Sequence, residues 1–407
     1  MFLIQKICRG LTEEEPKLPR TRFGMVSRRP SMSILLSAGR SSSSGDWFAQ
    51  LFGCKESATL AKSKNGFVIE GPDEKGHRRL RSSFNDTSYS VGKFSTPSLQ
   101  ELEARRISQA QSAPISVTTA TNDVSEYHAM KENKHATFQV ASQFNCLEFP
   151  SPSITPEAGV TDYLLDRTQG PACSIACGPA TVFRNYYVCM DSENHELSLA
   201  EGTDAMVGQT FNRQINNLAG ISRALGNEPE GRFFEVQNGY VFSKNDKLVS
   251  LNRAIAENDA EEIGKHLRVG LHEEVQVTSA RWGAVPQPDP AHTVTQVFGS
   301  AISVAYSQNS ASLWEPLGRL VLRASYLATL HIAAEAAARH EGKFGSRKVF
   351  LTLLGGGVFG NPLEWIIDAI RDACEAFKDS GLEVVIVSYG GVNPMVQSLC
   401  DEFKNSD

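Results

Sequence analysis

The chain has 407 residues, 41% of them hydrophobic and 21% charged, with a formal net charge of −6. That length and composition leave room for two or three domains with a sizeable core, and the acidic balance excludes a protein that grips nucleic acid through its global charge. No run of about 18 apolar residues is available to span a bilayer, and eight cysteines without a CxxC pair read as reduced thiols of a cytoplasm-like compartment.

Residues 1–45 carry eight Lys/Arg against three glutamates, a net +5, and run into the Ser-rich SAGRSSSSGD. Two readings fit: a disordered basic tail and an organelle transit peptide, the latter weakened by Glu13, Glu14 and Glu15. Residues 46–106 read as a small β-rich lead-in unit. DWFAQLFGCKES is aromatic and compact, NGFVIEG is a turn and short strand, and Ser98 with Glu101 three residues on marks a capping-box helix start. ISQAQSAP (107–114) reads as a linker.

From 115 to 407 strands alternate with helices, the pattern of an α/β domain. ISVTTAT (115–121), HATFQVASQFNCLEF (135–149), VQVTSARWG (275–283) and TVTQVFGSAISVAYS (293–307) are strand candidates. GPACSIACGPATVFRNYYV (170–188) opens as a helix. Cys173 and Cys177 share a face there, but no histidine stands at ligand spacing, so no metal site is expected. Amphipathic helices are predicted at 209–225 and 315–342. In the second, Arg319, Arg323, His331, Glu335 and Arg339 recur at multiples of four and form one solvated stripe, with His331 a surface histidine.

The last unit is the most regular. KVFLTLL (348–354) is the apolar run of a strand covered on both faces. Leu363, Ile366, Ile367, Ile370, Ala373, Cys374 and Phe377 mark one helical face, and LEVVIVSYG (382–390) is a second buried strand. This β–α–β succession implies parallel strands and a mixed, largely parallel sheet flanked by helices. Between the first strand and the helix lies LLGGGVFGNPLEW, with four glycines in six positions, 355–360. Asn361 is predicted as N-cap, Pro362 as N1 and Glu364 as the partner of a capping box. Free amides and the helix dipole favour an anion at such a place.

Three loop types compete with a plain tight turn, for which one glycine would suffice. Walker A chemistry requires a Lys and a Ser or Thr that are missing. The letters GxGxxG are present as Gly355, Gly357 and Gly360, yet the helix begins after them and the next strand ends in Ser388 and Tyr389 instead of an acid. A diphosphate loop late in an α/β domain fits both facts. No Ser-His-Asp set, GxSxG elbow or HExxH motif appears.

The segment 353–390 resembles the second ligand loop of macro domains and the helix and strand that close that fold. In that family a glycine-rich turn with an apolar-aromatic pair, matched here by Val358 and Phe359, wraps the diphosphate of ADP-ribose. The resemblance implies a macro-like three-layer domain over 115–407 with insertions and a small-molecule nucleotide partner of the ADP-ribose kind. It implies ligand contacts from Gly355, Gly356, Gly357, Val358, Phe359, Gly360 and Asn361; no separate cofactor is expected. The asparagine of the family's first loop falls on Asn145, although the GGG run that follows there is replaced by a longer insert. DRTQGPA (166–172) loosely resembles the catalytic loop of poly(ADP-ribose) glycohydrolases, which makes Gln169 and Gly170 a second set of donors. The glutamate pair of that loop is absent. For hydrolysis of an ADP-ribosyl bond the catalytic candidates are then Asn145, Glu148 and Asp166, with Glu157 and Asp162 nearby; an acid must come within hydrogen-bond reach of the ribose or its water. Arg184 in FRNYY reads equally as a phosphate ligand or as a buried structural arginine, and Gln296, in a buried strand, must find an amide partner. The alternative function is a non-enzymatic scaffold whose glycine loop only packs helix on sheet.

Overall fold

The computed structural model describes residues 46–56, 66–105, 113–188, 208–227 and 231–404. The expectations for the tail at 1–45 and for most of the linker at 107–114 lie outside the described residues.

In chain order the strands are β1 Phe67–Glu70, β2 Arg78–Ser82, β3 Ser88–Ser95, β4 Ser116–Thr121, β5 Thr137–Ala141, β6 Glu235–Gln237, β7 Tyr240–Phe242, β8 Gly270–Gln276, β9 Ser279–Ala280, β10 Val285–Pro286, β11 Thr293–Gly299, β12 Lys348–Leu351 and β13 Glu383–Ser388. Nine of them form one sheet in the order β1-β2-β3-β8-β11-β5-β12-β13-β4, and the pairs β6–β7 and β9–β10 stand apart. The five strands from β11 to β4 are parallel; β1, β2, β3 and β8 continue the sheet antiparallel from β11. The β-rich residues before 106 therefore add their strands to the main sheet through the β3–β8 ladder.

The pleat divides the side chains between two cores. Val349 and Leu351 of β12 and Val297 of β11 face one, with the helices Asn245–Ala256, Ala311–Arg339 and Leu363–Ala376. Phe350 and Phe298 face the other, with the helices Trp47–Phe52, Gln169–Ala176 and Gly178–Tyr186. All seven residues of β11 are buried, as a strand covered on both faces requires. The result is the expected α/β fold: a mixed sheet, parallel at its centre, between two helical layers.

Local expectations fare unevenly. The capping box before the helix Leu99–Ala104 is present, with Ser98 Oγ accepting from Glu101 N at 3.2 Å and Glu101 Oε2 from Ser98 N at 2.9 Å. Of the helix predicted at 209–225 only Ala219–Ala224 is helical. The preceding amide side chains are engaged in the loop after β5: Gln209 Nε2 donates to Asn145 O at 3.1 Å and Asn217 Nδ2 to Cys146 Sγ at 3.2 Å. Such side chains compete with helical hydrogen bonding. The stripe on the long helix is only half solvated. Arg319 pairs with Glu315 and Asp368, and Arg323 with Glu261 and Asp372. His331 is half-buried, edge-on to Phe377 at 4.8 Å, and burial lowers its pKa to about 4.

Candidate functional site

Three loops leave the carboxyl ends of neighbouring parallel strands: 142–150 after β5, 300–306 after β11 and 352–362 after β12. In open α/β sheets this edge is where ligands bind. The loops are stitched together. Ser142 N donates to Gly299 O at 3.0 Å, Ala305 N to Phe359 O at 2.9 Å, and Asn361 Nδ2 to Ile302 O at 2.8 Å. The β6–β7 hairpin closes one side, with Phe144 N donating to Gly239 O at 3.1 Å and Val241 N to Ser303 Oγ at 2.9 Å.

Within the glycine loop, Gly355 and Gly360 have φ of +70° and +71°, where a side chain is strained. A Cβ on Gly355 would also stand 2.5 Å from Ala301 Cβ. Three amides are used in turns: Gly356 N to Leu353 O, Gly360 N to Gly357 O and Asn361 N to Gly355 O. The amides of Gly357, Val358 and Phe359 donate to no carbonyl among the described residues. Gly356, Gly357 and Val358 are exposed, whereas Phe359 turns inward. The loop thus presents successive unpaired N–H groups on a tip pinned at both ends.

The predicted cap is corrected. Pro362 occupies the N-cap position of the helix Leu363–Ala376 and no side chain caps it. Asn361 is buried and uses its amide on Ile302 O and on Gly355 O, at 3.3 Å, so it closes the loop from below. Its Oδ1 has no partner among the described residues.

Of the other sequence candidates, Asn145 and Glu148 lie in the loop after β5 and Gln169 reaches the end of that strand. Gln169 extends the end of β5: its Oε1 accepts from Ala141 N at 2.9 Å and its Nε2 donates to Gln139 O at 2.8 Å. Gly170 permits this contact, since a Cβ there would stand 1.9 Å from Ala141 O. Asn145 is fully buried, donating to Gln214 Oε1 at 2.8 Å and accepting from Leu147 N at 3.0 Å. Glu148 is buried against Arg184, whose Nη2 lies 3.3 Å from both carboxylate oxygens. Burial pushes the Glu148 carboxyl up to about 7, with Arg184 pulling the other way. Asp166 is half-buried and its carboxyl is raised by burial.

Arg184 takes the structural role of its two readings. It is fully buried, its Nε donates to Cys146 O at 2.6 Å, and its guanidinium lies 3.9 Å from the centre of the Phe298 ring. Gln296 Nε2 finds a backbone partner in Cys173 O at 2.9 Å. Glu157 accepts from Phe211 N at 2.8 Å and Asp162 is exposed.

Sequence reasoning missed Tyr240 and Tyr306. Their rings lie 4.9 Å apart and within 5.4 and 5.7 Å of Phe359. Each stands in a three-residue element, the strand Tyr240–Phe242 or the 3₁₀ turn Val304–Tyr306, too short for a periodicity to single it out. A cleft of 380 Å³ lies elsewhere, among the helices Ala260–Gly264, Ala311–Arg339 and Leu363–Ala376, with Arg319, Arg323, Asp368 and Asp372 on its walls. No described helix is long and apolar enough to cross a membrane.

No family model matches the chain, and no curated protein does. Among solved structures, the poly(ADP-ribose) glycohydrolase of Thermomonospora curvata is similar at 12% identity and a TM-score of 0.39, over 85% of this chain and 98% of that one. The poly(ADP-ribose) glycohydrolase of Deinococcus radiodurans, solved with ADP-ribose, is similar at 14% identity and a TM-score of 0.39, over 85% and 97%. The Thermomonospora enzyme with the inhibitor ADP-HPD gives 11% and 0.37, over 86% and 98%. Likeness at this level leaves the function to the chemistry of the site.

Proposed function

We propose that this chain binds a nucleotide diphosphate of the ADP-ribose kind at the carboxyl edge of its parallel strands. The observation that carries the reading is the glycine loop, where the amides of Gly357, Val358 and Phe359 donate to no carbonyl among the described residues, Gly357 and Val358 are exposed, and a 14-residue helix follows. Backbone donors without a Cβ and the positive end of a helix dipole suit a diphosphate. Gly355 and Asn361 hold the ends of the loop, and Gln169 and Gly170 seat the neighbouring helix on β5.

For turnover, Asp166 is the one of the three catalytic candidates with solvent access, so it is the residue to test as general acid or base. Asn145 and Glu148 act from beneath the loop as positioning residues in this reading. The scaffold alternative draws on the burial of Phe359 against two tyrosines, which is also what a packing turn needs.

Calorimetry and thermal shift with ADP-ribose, NAD and UDP-sugars separate the two. Binding should stabilise the fold measurably at saturating ligand, and the absence of heat and shift at millimolar ADP-ribose would sink the proposal. Gly357→Glu is the cleanest variant, because a Cβ there meets nothing within 4 Å. It should abolish binding while leaving the melting temperature of the free protein unchanged. Gly356→Glu serves less well, since its Cβ would stand 3.0 Å from Ile366 Cδ1.

A further inference from the structure

At the opposite end of the sheet, before β5 and β11 begin, His135, Glu274 and His340 converge. Glu274 Oε1 lies 2.6 Å from His340 Nε2 and Oε2 lies 3.3 Å from His135 Nδ1. The two imidazoles stack at 3.9 Å and 14°. One donor atom from each residue lies within 4.8 Å of the others.

Three further observations mark this cluster as built for a ligand. First, the β8–β11 ladder shifts register between Val294 and Gln296, beside Glu274, and a bulge of this kind re-aims a side chain. Second, His135 and Glu274 both hold left-handed backbone conformations, with φ of +65° and +54°. Such a conformation is unfavourable for a residue other than glycine and persists only where the surroundings impose it. Third, Thr293 Oγ1 donates to Glu274 Oε2 at 2.6 Å and so fixes the carboxylate as an outer ligand partner does. Two neighbouring cations have carboxylates of their own, Arg339 in Glu273 and Lys343 in Glu341, while both oxygens of Glu274 face the histidines. A simple ion pair needs one histidine; here two address both oxygens of one carboxylate.

We propose that His135, Glu274 and His340 form a binding site for a divalent transition-metal ion, zinc by donor class. Two imidazole nitrogens and one carboxylate oxygen are the three-ligand set of an open zinc site. Both histidines, with Arg339, Glu341, Lys343 and Phe344, line a cleft of 230 Å³ beside the cluster. Binding replaces the histidine–carboxylate hydrogen bonds, draws the donors to about 2.1 Å from the ion and tilts the stacked rings apart. The ion would tie the end of the long helix to the sheet, away from the glycine loop.

The test uses the full chain after chelator treatment, titrated with Zn²⁺ by calorimetry and with Co²⁺ by visible absorption. One equivalent should bind, the melting temperature should rise, and the cobalt spectrum should show d–d bands without a thiolate charge-transfer band. His340→Gln should weaken binding at least tenfold. His135→Asn, a residue type tolerant of positive φ, should do the same and guards against misfolding of the first variant. No binding by the wild-type chain, equal binding in the wild type and both variants, or a thiolate band pointing to the free cysteines would each overturn the assignment.

Discussion

Tyr240 and Phe359 face each other with ring centroids 5.4 Å apart, and the Tyr240 hydroxyl donates to Phe149 O at 2.6 Å. One tyrosine thus joins the glycine loop after β12 to the loop after β5. Phe359→Ala opens a cavity beneath the loop and should cost about 3–5 kcal/mol of stability. Tyr240→Phe keeps the ring and loses one buried hydrogen bond, a cost of about 1 kcal/mol. If the two loops act as one site, Tyr240→Phe should also weaken ADP-ribose binding more than stability. Calorimetry beside chemical denaturation measures both, and an unchanged affinity would separate the loops functionally.

Asn361 offers a sharper probe of the same loop. Its amide donates to Ile302 O and Gly355 O from a buried position. Asn361→Asp places an acceptor against two carbonyls, so stability should fall by roughly 1–3 kcal/mol or more, and the loop should lose its ligand. Asn361→Ser should fall between. Were Asn361 only a helix cap, Asp would serve as well as Asn, so equal stability of Asn361→Asp and wild type would restore the capping assignment.

That residue also shows where the sequence speaks and where it falls silent. The β12–helix–β13 unit was legible because its apolar runs and helical spacing are local, and the parallel pairing of Val349 with Val384 follows from them. The glycine loop was legible because glycine at that density has few uses. The depth of Asn361 was not, since an asparagine before a proline looks the same whether it caps a helix or points inward. Asn145, Glu148 and Arg184 belong to the same class. Gln209 and Gln214 reach Asn145 from distant segments, and Arg184 folds back on Ser174 of the preceding helix and on Glu148. The His135–Glu274–His340 cluster spans more than two hundred positions of chain and carries no spacing signature at all.

The Glu148–Arg184 pair sets a prediction about balance. Both side chains are buried, and Arg184 Nη2 sits 3.3 Å from each oxygen. Glu148→Ala leaves a buried guanidinium without its carboxylate and should cost about 3–5 kcal/mol. The double variant Glu148→Leu with Arg184→Met should recover most of that, because an apolar pair of similar volume needs no compensation. A double-mutant cycle in urea measures the recovery. No recovery would mean that Arg184 matters chiefly through Cys146 O and the Phe298 ring.

Three histidines predict how the fold responds to acid. Burial lowers the pKa of His128 to about 4, of His272 to about 3 and of His331 to about 4. The His128 tautomer supports this: Nδ1 faces Val124 O at 2.9 Å as donor, leaving Nε2 to accept from Gln296 Nε2 at 3.2 Å, so a second ring proton would meet a donor. A residue with a depressed pKa in the folded state gives stability that is present above its unfolded pKa, near 6.5, and is lost as pH falls toward the folded value. His272 alone should account for about 3 kcal/mol lost between pH 6.5 and pH 4. Glu148, raised to about 7, acts in the other sense, its share fading as pH rises from about 4.5 through 7. Urea midpoints measured across pH 4–8 should therefore fall steeply on the acid side. His272→Phe, whose ring would replace an imidazole packed edge-on to Phe94 at 5.2 Å, should flatten that fall. An equally steep acid limb in His272→Phe would show that this imidazole titrates normally, as an exposed one does.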